Sequence, residues 1–331
     1  MKRWVVSLAS LALVLNFGSL SEAASKEKLT VYTSMKEVLI GKLGDTFTRK
    51  YPQIDFDYYS AGAGKLMAKL AAERQSGKIA ADVLWTSEIP DFYQLKNQGL
   101  LEKYVSPESS SILSPVKDPE GYFTPVRLGT LGIAYNTKKV TDPPKSWQDL
   151  LDKRFKDGFG IANPALSGTA MVSLTMIVNN LGWDYIEKLR ANGAKMGHGS
   201  GQVVDDTASG DLKASIAVDY IVVEKMEKKA NIGFMFPQEM LVIPSPVAII
   251  KGTPNGKAAQ KFVDFLLSKE GQTIIASTGT LPIREGVPLL KGYGLVVPPE
   301  AVKRAMKIDY VKMIDEKETI IQKFTNIMRA K

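Results

Sequence analysis

Residues Tyr58–Glu73 read YYSAGAGKLMAKLAAE, and the organisation of the whole chain can be worked out from this stretch. A β-rich run, Ile54–Tyr59, enters Ser60-Ala61-Gly62-Ala63-Gly64, and helical periodicity starts at once. Small residues let a ligand approach the backbone, and Ser60 can donate a hydroxyl hydrogen bond. The helix N-terminus behind them presents unpaired N–H groups and the positive end of a dipole, which suits an anion. An ordinary glycine-rich turn has the same composition. Neither G-x-x-x-x-G-K-[ST] nor a full G-x-G-x-x-G is present, so the nucleotide fingerprints fail.

The flanking sequence repeats this strand-to-helix layout. Leu29–Thr33 is a β-rich run ending in Ser34-Met35, and Glu37–Arg49 carries Val38, Leu39, Leu43 and Phe47 at helical spacing until Tyr51-Pro52 stops it. Ala81–Trp85 is a third strand, ending at Thr86-Ser87-Glu88 before a helix through Phe92 and Leu95. Such alternation predicts a parallel α/β sheet, whose ligands bind beyond the carboxyl ends of the strands. Ser34, Ser60–Gly64 and Thr86-Ser87 then share one rim. Phe123–Asn136 (FTPVRLGTLGIAYN) reads as a strand that carries the chain into a second domain. There Gly160–Ala162 leads into Asn163–Thr169 and the apolar helix Ala170–Leu181. Next, His198–Gly201 precedes a helix over Gln202–Ser209, and Lys213–Asp219 is a strand feeding Tyr220–Lys229. Pro144-Lys145-Ser146 caps a short helix, Trp147–Leu151. Pro244–Ile250 returns as a strand, Asn255–Ser268 is amphipathic, and Leu281–Arg284 is a third crossing before C-terminal helices.

With 331 residues the chain has room for two domains with separate cores. Its 44% hydrophobic and 24% charged content is ordinary for a globular protein. Net charge is +8, but the lysines are interspersed with acids and form no block. The excess therefore reads as a solvated surface, and no nucleic-acid partner is expected. Met1–Ala23 has a basic start (Lys2, Arg3), an apolar run Val5–Leu15 and small residues at Ser21 and Ala23, the pattern of a cleaved signal peptide. There is no cysteine to form a disulfide or carry a lipid. An exported protein free in a bacterial periplasm is the expectation.

In order and spacing, VYTSMKE, YYSAGAGKL, DVLWTSE, GIAYN, NPALSGT, Gly199-Ser200-Gly201, FPQE and PVAIIKG…AAQKFVDFLLSKEGQ resemble one family. It is that of the periplasmic substrate-binding proteins of ABC importers, in the ferric-ion and organophosphate-binding branch. The resemblance implies an α/β fold of the type II periplasmic binding protein kind, with two lobes hinged around a ligand cleft. The expected division is a signal peptide at 1–23, lobe 1 at 24–126 plus 245–283, and lobe 2 at 127–244 plus 284–331. It implies a monomer that delivers a small anionic solute to an inner-membrane permease and its ATPase, with no cofactor. A chemoreceptor is a compatible further partner.

The expected ligand-binding residues are Ser34, Ser60, Thr86, Ser87, Ser167, Thr169 and Ser200, with backbone N–H groups at Ala61–Gly62 and Gly168–Thr169. Asp205, Asp219 and Glu239 would meet sugar hydroxyls or an amine at the other end, and Tyr220 lies opposite Ser60. A hexose phosphate or aminoethylphosphonate fits this two-ended pattern. The alternative is ferric iron. Ferric-binding members carry two adjacent tyrosines where this chain has Asp219-Tyr220, so a hard metal would use Tyr220, Asp219, Glu239 and Glu88. An exported phosphate-ester enzyme is a third class, but no nucleophile-and-base set or metal cluster is legible, and no enzyme is expected. His198, the single histidine, reads as a surface-loop residue, and Trp85, Met171 and Met176 read as core.

Overall fold

The computed structural model describes residues 26–113 and 118–330. The signal-peptide reading of 1–23 lies outside the described residues. Three strands, β1 (Glu27–Thr33), β2 (Ile54–Ser60) and β3 (Val83–Trp85), alternate with helices α1 (Glu37–Lys50), α2 (Ala63–Gln75) and α3 (Ile89–Asn97). All three strands run parallel, and the register pairs Thr33 with both Ser60 and Trp85. Their carboxyl ends are therefore level, and each feeds the N-terminus of the next helix toward one edge.

A short β4 (Leu101–Glu102) leads to β5 (Thr124–Asn136). Beyond it β6 (Phe159–Ala162), α4 (Gly168–Leu181), α5 (Trp183–Ala191), β7 (Lys195–Gly197), α6 (Ser200–Ser209), β8 (Ala214–Val218) and α7 (Asp219–Glu227) repeat the pattern. β6 runs parallel to both β7 and β8. Trp147–Leu151 forms a 3-10 turn at Gln148–Leu151, not an α-helix. Trp147 is buried and its Nε1 donates to the Glu239 carbonyl, so the segment is fixed by tertiary packing before a full turn can develop.

β9 (Ile232–Met235) and β10 (Leu241–Ile250) follow, then α8 (Gly256–Leu267), α9 (Lys269–Ser277), β11 (Leu281–Pro282), α10 (Pro298–Lys303) and α11 (Tyr310–Arg329). The strand order β2-β1-β3-β10-β5-β8-β6-β7 puts β5 and β10 between the two parallel groups. Leu241–Val247 of β10 pairs with β5 with a bulge at Ser245/Pro246, and beyond that bulge Val247–Ile249 also pairs with β3. Proline has no N–H to give a ladder, and a bulge bends its strand, so Pro244 and Pro246 flank a natural flexure. β11 joins β5 at Leu128 and Arg127, the same level.

Both faces of β5 are covered, which explains its nearly unbroken apolar run. One large core spans both groups and includes Trp85, Met171 and Met176, as their spacing predicts. A smaller one fills the space under α2 and α3 around Leu66, Leu70 and Phe92. Among the described residues no helix is long and apolar enough to cross a membrane.

Candidate functional site

The strand ends of the two groups face each other across a cleft of about 500 Å³. Of the expected residues, Ser34, Ser60, Ala61, Gly62, Ser87, Ser167, Gly168, Thr169, Ser200 and Tyr220 line it. Their contacts differ from the simple expectation. Ser60 Oγ donates to the Met35 carbonyl at 2.7 Å, leaving it lone pairs to offer a ligand. The Ala61 N–H is spent on the Thr33 carbonyl at 3.0 Å, so of the Ala61–Gly62 pair it is not a free donor. α2 starts at Ala63 with no side-chain cap, and its first N–H groups face the cleft.

The opposite wall concentrates donors. Ser167 caps α4, its Oγ accepting from the Ala170 N–H. Ser167 Oγ lies 2.8 Å from Ser200 Oγ and 3.0 Å from Thr169 Oγ1, and the last two are 3.0 Å apart. Three hydroxyls thus form a triangle over the N-termini of α4 and α6. Each can turn its proton outward, and together with the first N–H groups of α4 they match a tetrahedral oxyanion.

Arg127 is the contributor that a motif search passes over. It sits within β5, is 1% exposed and lines the cleft. Its Nη1 donates to Thr280 Oγ1 at 2.6 Å and lies 3.6 Å from Asp219 Oδ1, while its Nε meets Met35 Sδ. The guanidinium also stacks over the Tyr220 ring at 5.0 Å. A charged residue inside the apolar run FTPVRLGTLGIAYN was the available signal, because arginine is seldom fully buried without a task. Lys36 and Lys65 line the cleft too, and no described Asp or Glu does. Lys36 donates its backbone N–H to Tyr220 Oη at 3.1 Å, leaving the phenol proton for a ligand. Burial pushes the Tyr220 hydroxyl up, which keeps that proton in place at neutral pH.

Four expected ligand contacts are corrected. Asp219 is fully buried behind Arg127. Its Oδ2 accepts from the Thr130 N–H and Oγ1 and from Thr280 Oγ1, while its Oδ1 accepts from the Tyr220 N–H and faces Arg127, so the carboxylate is committed to the protein. Burial pushes its carboxyl up, against the pull of Arg127 and these donors. Asp205 points off α6 to Lys225 at 2.6 Å. Glu239 is exposed away from the cleft, and Thr86 is buried, its N–H donating to the Pro246 carbonyl at 3.2 Å. The alternative iron set is not assembled either. Of Tyr220, Asp219, Glu239 and Glu88, only Tyr220 reaches the cleft. His198 is exposed, as its loop position implies, but it also sits on the cleft rim with Gln202.

The two walls touch. A methyl group placed on Gly62 would fall well inside 3.0 Å of the Leu166 carbonyl oxygen, and one on Gly64 would meet the Ala165 carbonyl in the same way. The α2 N-terminus therefore abuts the Asn163–Ser167 turn because these two positions lack Cβ. This is a close-approach use of glycine.

Residues 80–315 match the model of a family described as bacterial extracellular solute-binding protein. A periplasmic protein of Salmonella typhimurium, provisionally assigned as 2-aminoethylphosphonate-binding, is 29% identical over 262 residues, 73% of each chain. The periplasmic binding protein AfuA of Actinobacillus pleuropneumoniae, solved with fructose-6-phosphate, is 26% identical with a TM-score of 0.78, covering 92% of this chain and 99% of its own. Iron-bound HitA of Pseudomonas aeruginosa shares the fold at 24% identity, with a TM-score of 0.75 and 91% and 99% coverage. The fold is thus that of the periplasmic binding proteins, as the sequence resemblance implies.

Proposed function

This chain belongs to the bacterial extracellular solute-binding protein family, and from that premise we propose that it captures a small organophosphate or phosphonate for an ABC importer. Proteins of this family work with a membrane permease and its ATPase. The observation that carries the ligand class is the cleft's polarity. The Ser167–Thr169–Ser200 triangle and Arg127 converge with Lys36 and Lys65, and the described lining holds no carboxylate. A phosphoryl group satisfies that set with charge-assisted hydrogen bonds, whereas a bare cation would be repelled. Similarity to an aminoethylphosphonate-binding assignment and to a fructose-6-phosphate complex supports the same class. The proposed contacts are Ser34, Ser60, Gly62, Ser87, Arg127, Ser167, Gly168, Thr169, Ser200 and Tyr220.

The proposed lobes are 24–126 plus 245–283 and 127–244 plus 284–331. The bulge at Ser245/Pro246 and the pairing of both β10 and β11 with β5 near Arg127 support flexure there. The glycine-mediated contact across the cleft supports a closed form, in which exclusion of water strengthens each polar contact. The protein binds and releases without turnover, as an exported monomer.

Native mass spectrometry of protein isolated without refolding, followed by calorimetry with glucose 6-phosphate, 2-aminoethylphosphonate and ferric citrate, tests the reading. Binding of a phosphoryl compound at micromolar or better affinity is expected. Tight ferric binding with a tyrosinate-to-iron colour, and no phosphoryl binding, would refute it.

A further inference from the structure

One buried ionic cluster lies against the cleft wall and has no part in the contacts above. Glu88, at the N-cap of α3, is 2% exposed. Lys317 of α11 places its Nζ 2.6 Å from Glu88 Oε1 and 2.8 Å from Asp91 Oδ1. The ammonium hydrogen-bonds Asp91, but its contact with Glu88 is ionic and poorly aligned, so Glu88 Oε1 has no hydrogen-bond donor. Asp91 Oδ2 has none either. Two buried carboxylates thus share one cation, whose own side chain is 19% exposed.

The far side of that cluster is the anion nest itself. A methyl group on Gly168 would sit 3.0 Å from both Cβ and Oε2 of Glu88 and 3.1 Å from Ala63 Cβ. Gly168 opens α4 between Ser167 and Thr169 of the hydroxyl triangle. Glu88 is therefore covered by the wall that must move if the cleft opens.

We propose that Glu88 takes up a proton when the cleft closes, which makes anion capture proton-linked. This rests on the two-lobed reading given above. Parting the walls lifts Gly168, and Lys317 of the same proposed lobe, off Glu88 and hydrates its carboxylate; closing strips that water away, and the burial outweighs the returning Lys317 charge. The ionisable groups facing it are Asp91 on its own helix and Lys317 and Glu318 on α11. α4 supplies none over Gly168–Leu181. Burial first, then the Asp91 charge, raise the Glu88 carboxyl to about 7 in the closed form, while Lys317 pulls the other way. Both acids raise Lys317, which stays charged. The α4 N-terminus would favour a charged Glu88, but an arriving phosphoryl group takes the same N–H groups and adds its own repulsion.

Because the closed-state value is the raised one, the proton favours closure fully below the usual carboxylate range. The gain is lost as pH rises through about 7, by at most about tenfold per pH unit.

The chain has no cysteine, so spin labels at Ala68→Cys on α2 and Ser209→Cys on α6 report the distance across the cleft without background. Measured from pH 5 to 8, with and without glucose 6-phosphate, the closed-to-open ratio should fall roughly tenfold or more as pH rises. With Glu88→Gln added the ratio should stay flat. A ratio independent of pH, or one with the same pH dependence in the Glu88→Gln protein, overturns the proposal. A single fixed distance under every condition overturns it together with the two-lobed reading. A flat pH series on the protein with Glu88 intact overturns the proposal even if Glu88→Gln does not fold, and Glu88→Leu, which also removes the titrating group, then takes its place as the control.

Discussion

Gly62→Ala separates closure from folding more cleanly than any other single change. Gly62 has φ −61° and ψ 148°, an extended conformation open to every residue, so alanine adds no backbone strain. It keeps the N–H and lowers the conformational entropy of the unfolded chain, so stability should hold or rise by about 0.4–1 kcal/mol. The added methyl meets only the Leu166 carbonyl, on the opposite wall. An ordinary C···O contact is about 3.3 Å, so the walls must part by on the order of 1 Å. Steric overpacking of this kind costs typically 1–3 kcal/mol, here charged to closure alone. Affinity for the phosphoryl ligand should therefore drop roughly 5- to 150-fold, with an unchanged or slightly higher melting temperature. Calorimetry and thermal unfolding measure the two quantities, and small-angle scattering should show a larger radius of gyration with saturating ligand. Wild-type affinity in a normally folded Gly62→Ala protein would refute the idea that this contact belongs to the bound state.

Arg127→Lys keeps the charge but loses the fork, and should weaken phosphoryl binding by about 10- to 150-fold in calorimetry, the value of one or two charge-assisted hydrogen bonds. Ser200→Ala removes one corner of the hydroxyl triangle and should cost about tenfold in affinity with no loss of stability, read by the same titration. Asp219→Ala leaves Arg127 buried without its counter-charge, so denaturant unfolding should show a loss of about 3–5 kcal/mol; a fully stable variant would refute the counter-charge role. Because the proposed attraction between cleft and ligand is ionic, raising salt from 50 to 500 mM should lower the association rate more than it raises the dissociation rate in stopped-flow measurements.

The layout of this protein is legible in its sequence because it is written in local signals. Strand-length β-rich runs, small-residue turns and helical spacing recur in order. In a parallel α/β unit that order alone brings Ser34, Ser60, Ser87, Ser167 and Ser200 to the carboxyl edge of the strands. The hydrogen-bond geometry of the backbone leaves the chain little choice there. What a side chain meets once it reaches that edge is not local. Asp219 starts α7 at the cleft yet turns inward, because Thr130 and Thr280, 89 and 61 residues away, supply donors that solvent would otherwise provide. Arg127 becomes the cationic floor of the cleft only because β5 is the strand shared by both groups. Lys317 finds Glu88 only through the docking of α11 against α3. The opening stretch shows the same division. Its turn, helix start and small residues follow from Tyr58–Glu73 alone. The carbonyls of Ala165 and Leu166, against which Gly62 and Gly64 press, follow only from the packing of one wall on the other. Burial energies and ion pairs act through space, and space between distant segments is set by the tertiary fold.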